Sequence, residues 1–140
     1  MSLVLDASAA LAWVFERPDP TERTAADLLL TEILTQPAKV PVLWHLEVAN
    51  ALLVAQRRGV AAESQVANFM ALLSRLPIAT DDVEVGRARD TIMALARQYQ
   101  LTAYDAVYLE LALRTGATLA SFDQKLVQAT IQAGGRVFGH

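Results

Sequence analysis

Four acidic residues stand out here by their surroundings. Asp6 directly follows the short apolar run that ends at Leu5, and Glu47 is embedded among Leu46, Val48, Ala49, Ala51, Leu52 and Leu53. Asp105 comes three residues after Thr102, and Asp123 closely follows Thr118 to Ala120. Carboxylates brought into one small volume repel one another unless they take up protons or a cation. Oxygen ligands of this kind favour hard divalent ions, Mg²⁺ or Mn²⁺. The chemistry within reach of these residues is that of a carboxylate-held metal ion.

Composition narrows the alternatives. Cysteine is absent, which removes disulfides, thiolate zinc sites and thiol nucleophiles together. Only His45 and His140 could serve histidine chemistry, and His45-Leu46-Glu47, which has the form of a zinc-deaminase motif, lacks the cysteine pair that motif needs. No glycine-rich phosphate loop occurs. The net charge of -3 argues against nucleic-acid binding by bulk electrostatics, although ten arginines against two lysines suit bidentate phosphate contacts.

Each acid also has a plain structural use. Asp6 and Asp123 are placed to cap helices, and Thr102-x-x-Asp105 has the form of a capping arrangement. Glu47, read as lying in a first helical turn, would be favoured by the helix dipole. A competing reading is therefore a non-catalytic α/β interaction protein, whose acids only cap helices and whose apolar helices bind a partner.

The elements that must position these residues alternate in type. Strands are expected at residues 2–5, 39–43, 78–80, 118–120 and 136–138. Helices are expected at residues 7–15, 21–36, 45–58, 61–76, 83–99, 102–115 and 124–133. Pro37, Pro77, Gly59 and Gly116 act as stops, and Pro41 places part of the second strand at an edge. The helix carrying Glu47 is apolar almost all round and should be largely buried, with Asn50 on the face of Glu47. Strand–helix alternation predicts an α/β three-layer domain with a mainly parallel central sheet and helices on both faces. The carboxyl edge of such a sheet is where distant loops meet.

The 140 residues fit one domain, residues 1–140, and 54% apolar residues support a well-buried core. The apolar runs are too short to span a bilayer, no secretory signal is expected, and the cytoplasm is the default location. So apolar a small domain is not expected to bury Leu11, Trp13, Leu28, Leu30, Leu34, Phe69, Met70 and Leu73 all in one core. An interface should cover some of them.

Four ordered segments give the sequence a family likeness. They are Leu-Val-Leu-Asp-Ala-Ser-Ala at 3–9, Pro-x-Leu-Trp-x-x-Glu-x-x-Asn-Ala-Leu at 41–52, Leu-Thr-Ala-Tyr-Asp-Ala-x-Tyr-Leu-Glu-Leu-Ala at 101–112, and Leu-Ala-Ser-Phe-Asp-x-Lys-Leu at 119–126. In order and spacing they resemble the PIN-domain family and, within it, the VapC-type toxins of toxin-antitoxin pairs. The resemblance implies an acidic quartet of Asp6, Glu47, Asp105 and Asp123, with Ser8, Asn50 and Ser121 as auxiliary residues. Ser121 stands where the family more often has Thr. It further implies Mg²⁺-dependent hydrolysis of RNA, with Mn²⁺ as a substitute, leaving a 5′-phosphate and a 3′-hydroxyl. Asp6 and Asp105 would be the direct metal ligands, and Glu47 and Asp123 would complete the shell or orient water. The implied partners are an RNA substrate, a cognate antitoxin that lays a helix or arm near the acids, and a second copy in a homodimer.

Overall fold

The computed structural model describes residues 2–139. Five short strands form its centre: β1 (Leu3–Leu5), β2 (Ala38–Val40), β3 (Ile78–Thr80), β4 (Thr118–Ala120) and β5 (Arg136–Val137). They lie in the order β3-β2-β1-β4-β5, and every pair is parallel. β1, at the centre, is buried throughout, as a strand covered on both faces should be.

Seven helices join the strands: α1 (Ala7–Leu11), α2 (Pro20–Ile33), α3 (Val42–Arg57), α4 (Glu63–Arg75), α5 (Val85–Tyr99), α6 (Ala103–Thr115) and α7 (Gln124–Gln132). The chain steps outward from β1 to β2 to β3, then returns across the sheet to β4 and on to β5. Right-handed crossovers therefore put α1–α4 on one face and α5–α7 on the other. The packing agrees: α3 contacts α1 and α4, while α6 contacts α5, α7, β1 and β4. This is the three-layer α/β arrangement expected from the sequence.

Local chemistry explains several of the element boundaries. Asp19 caps α2 by accepting from the Thr21 N–H at 2.8 Å, and Pro20 occupies the first helical position, where its missing N–H costs nothing. Thr102 caps α6 through the Asp105 N–H, and Gly116 ends it at φ 65°, a conformation glycine adopts freely. Gly135 has a steric reason: a Cβ there would stand 2.8 Å from the Thr130 methyl group. At the far end of α6, Arg114 bonds Glu110 at 2.8 Å and Asp81 at 2.6 Å, tying the helix to the loop after β3.

Three expectations need correction. The first helix stops at Leu11, because Ala12, Trp13 and Val14 turn with i→i−3 bonds and the Trp13 indole donates to the Ala26 carbonyl of α2. Pro41 is not part of β2. It precedes α3, which starts at Val42, so Glu47 lies in the second turn rather than the first. Nor is α3 largely buried: it packs Trp44, Val48, Leu52 and Ala55 inward but leaves Val42, Leu46 and Leu53 exposed. Of the residues expected to need an interface, Leu28, Leu34 and Met70 are exposed, while Phe69 is buried and Leu11, Trp13, Leu30 and Leu73 pack against the core.

Candidate active site

The direction in which the chain adds strands reverses between the parallel neighbours β1 and β4, and at such a switch point the loops leaving two adjacent strands diverge at their carboxyl ends. Asp6 follows β1 there, and Ser121, Phe122 and Asp123 follow β4. The two strands are joined beyond their ends by the Asp6 N–H, which donates to the Ala120 carbonyl at 3.0 Å.

Asp6 occupies the N-cap position of α1, but its side chain makes no capping hydrogen bond. Instead the Ser8 and Ser121 hydroxyls both donate to its Oδ2, each at 2.7 Å. Each serine oxygen in turn accepts a backbone N–H at 3.0 Å, Ser8 from Phe122 and Ser121 from Asp123. The backbone of the β4 loop thus holds both serines, and the serines hold Asp6, which is only 6% exposed. Burial pushes the Asp6 carboxyl above its ordinary range. The two serine bonds oppose that rise, and the charge of Asp123 adds to it.

The other three acids come from three different helices. Glu47 projects from α3 and is half-buried. Burial raises its carboxyl and the Tyr108 hydrogen bond lowers it, while the charges of Asp6 and Asp105 raise it further. Asp105, in the first turn of α6, is raised by burial and then by the charges of Asp123 and Asp6, with Thr102 and Lys125 acting in the opposite direction. Asp123 is the N-cap of α7 and accepts from the Leu126 N–H at 3.2 Å. The structure therefore couples the carboxylates in the pairs Asp6–Asp123, Asp6–Glu47, Asp6–Asp105, Glu47–Asp105 and Asp105–Asp123. The capping explanation holds for Asp123 but fails for Asp6.

Asn50 is the exception among the proposed residues. It is exposed, and among the described residues its side chain makes no hydrogen bond. Tyr108, in contrast, touches one of the four acids although it lies on the buried face of α6. Its ring is fully buried, and its hydroxyl donates to Glu47 Oε1 at 2.5 Å. The signal was its position one turn after Asp105. Arg17 stacks over the Phe122 ring, 4.9 Å from its centroid, beside the same loop.

The donor set suits a hard cation: it is all oxygen, and three of its carboxyls are disfavoured in the charged form without a counter-ion. Among the described residues no three acidic or histidine side chains form a ready-made cage.

The sequence profile of the PIN domain matches residues 3–131. The chain belongs to the PIN domain family. Ribonuclease VapC3 of Pyrobaculum aerophilum is 31% identical to it over 130 residues, covering 91% of this chain and 94% of that protein. Solved PIN-like folds superpose on it: PAE2754 from Pyrobaculum aerophilum with a TM-score of 0.68 at 23% identity, covering 93% of this chain and 80% of that one. FitAcB from Neisseria gonorrhoeae gives 0.66 at 14% identity, covering 98% and 96%. At those identities the structures speak for the PIN fold alone, and Asp6 and Asp123 follow the two strands that flank its switch point.

Proposed function

We propose that this PIN domain is a metal-dependent endoribonuclease of the VapC type, acting as the toxin of a toxin-antitoxin pair. The observation that carries the reading is the treatment of Asp6. A strand-end acid that merely capped α1 would spend its oxygens on the helix backbone, whereas this one is buried at the switch point, bracketed by two serine donors and raised by the charge of Asp123. The 31% identity to Ribonuclease VapC3 supplies the reaction class.

Asp6 and Asp105 are the residues assigned to hold Mg²⁺ or Mn²⁺. Glu47 and Asp123 complete the shell or orient a water. Bound there, such an ion would lower the pKa of a coordinated water and offset charge growing on a phosphodiester. The chain's own part is preorganisation. Ser8 and Ser121 commit both their protons to one oxygen of Asp6, leaving its other oxygen with no side-chain donor among the described residues. The N-terminal turn of α6 brings Asp105 in with a favourable dipole behind it.

Purified protein should cleave RNA only with Mg²⁺ or Mn²⁺ present. Asp6→Asn and Asp105→Asn should lower the rate by at least about a hundredfold, of the order seen for loss of a charge-stabilising group, while circular dichroism stays unchanged. Equal cleavage in excess EDTA, or by both variants, would remove the mechanism.

Two surfaces fit the partners proposed. A cavity of about 500 Å³ lies between the end of α1 and α2, lined by Trp13, Arg23, Ala26 and Leu30. A second, of about 410 Å³, shares Trp13 and reaches Phe69 and Leu72 of α4. Together they offer a helix or arm of an antitoxin a mixed surface, with Trp13, Leu30 and Leu72 beside Glu16, Arg23 and Asp27, and an Arg or Lys from it could reach the acids by charge-assisted hydrogen bonds. The exposed face of α3 is assigned to a second copy of the chain.

A further inference from the structure

Tyr108 is the largest fully buried side chain among the described residues, yet its polar end is not spent within the core. The hydroxyl leaves the apolar interior and donates to Glu47 Oε1 at 2.5 Å, joining α6 to α3. Its ring stands one helical turn beyond Asp105. One face of α6 therefore presents an acid of the site and the group that holds another acid.

Glu47 needs such a hold. Its side chain has three rotatable bonds, it sits on a half-exposed helix, and the charges of Asp6 and Asp105 push against it. Left alone, a carboxylate so placed would swing toward solvent. An O–H bond to a carboxylate is charge-assisted and roughly twice as strong as a neutral one, and a rigid buried ring fixes the donor's position.

We propose that Tyr108 is a positioning residue of the nuclease site: its hydroxyl pins Glu47 Oε1 and leaves Oε2 as the oxygen that serves a cation or a water. The assignment rests on the nuclease reading given above. Its plain rival is that a buried phenol needs an acceptor and Glu47 only supplies one. In that case loss of the hydroxyl leaves the chemistry untouched.

The variant Tyr108→Phe separates the two, since it keeps the ring and removes only the oxygen. Three readouts apply: Mn²⁺ affinity by calorimetry, the division of the RNA-cleavage defect between kcat and KM, and the same substitution made in Glu47→Gln. Partners that orient a metal ligand typically contribute about 10- to 100-fold to affinity or activity. Tyr108→Phe should lose that much in Mn²⁺ affinity and in kcat with KM unchanged, and should add little in the Glu47→Gln background. A folded Tyr108→Phe with parental Mn²⁺ affinity and kcat would overturn the assignment, and so would a defect of undiminished size in Glu47→Gln.

Should Tyr108→Phe fail to fold, the unaltered protein still gives an answer. Mn²⁺ titration should shift the near-ultraviolet tyrosine band, and Glu47→Gln should lack the shift. No shift in the parent would overturn the role. Undiminished cleavage by Asp6→Asn would instead remove the nuclease reading itself, so the two failures are distinguishable.

Discussion

Asp6, Glu47 and Asp105 all carry carboxyls raised by burial and then by neighbouring acid charges, that of Asp123 in the case of Asp6, and this sets how the metal-free protein responds to pH. A group whose folded pKa lies above its unfolded value binds protons more tightly in the native state. Between those two values the native state holds more protons, so stability falls as pH rises. The window opens near the ordinary carboxylate value of about 4 and closes at the raised native values. In EDTA, Tm should therefore fall as pH is raised through that window, and saturating Mg²⁺ should raise Tm at neutral pH and flatten the slope. Asp6→Asn removes the most buried of these charges and should flatten it without metal. Thermal melts across the range check this, and equal slopes for parent and Asp6→Asn in EDTA would contradict it.

At the scale of the element, α7 shows how one side chain can serve two ends. Asp123 caps the helix through the Leu126 N–H and also adds its charge to the site. Asn caps as well as Asp does, whereas Ala costs about 1 kcal/mol. Asp123→Asn should thus keep parental stability in urea titration while losing cleavage, and Asp123→Ala should lose both. A stable, fully active Asp123→Asn would leave this residue a cap and nothing more. The same doubling governs what the sequence revealed. β3 and β4 were legible to the residue, as were the Thr102 cap and the Gly116 stop, because each depends on the chemistry of a few neighbouring residues. The start of α3 was not, because Pro41 is equally at home beginning a strand or preceding a helix, and only its place past the end of β2 decides. The acids could be named from their segments, but that the Asp6 side chain turns from its helix to Ser121 depends on a partner 115 residues away. Tyr108 was hidden by being core and site at once.

Across the whole molecule, no helix among the described residues is long and apolar enough to cross a membrane, yet apolar surface remains. On α3 the exposed residues Val42, Leu46, Ala49 and Leu53 follow one another by four, three and four positions, the spacing of a helix-pairing seam. A self-complementary stripe of this kind suits a twofold contact between copies. Leu46→Glu with Leu53→Glu should convert a dimer to a monomer in sedimentation at micromolar concentration. A parent that already sediments as a monomer would remove that assignment. The bracket around Asp6 has a further consequence, for the order of events in synthesis. Ser8 and Ser121 are 113 residues apart, so on a growing chain the first acid of the site emerges long before the serine that helps hold it. The arrangement around Asp6 then cannot accumulate gradually as the polypeptide lengthens. It waits until the β4 loop has been made and has folded back against β1, because a chain that stops short of Ser121 lacks the hydroxyl that holds Asp6 from the far strand.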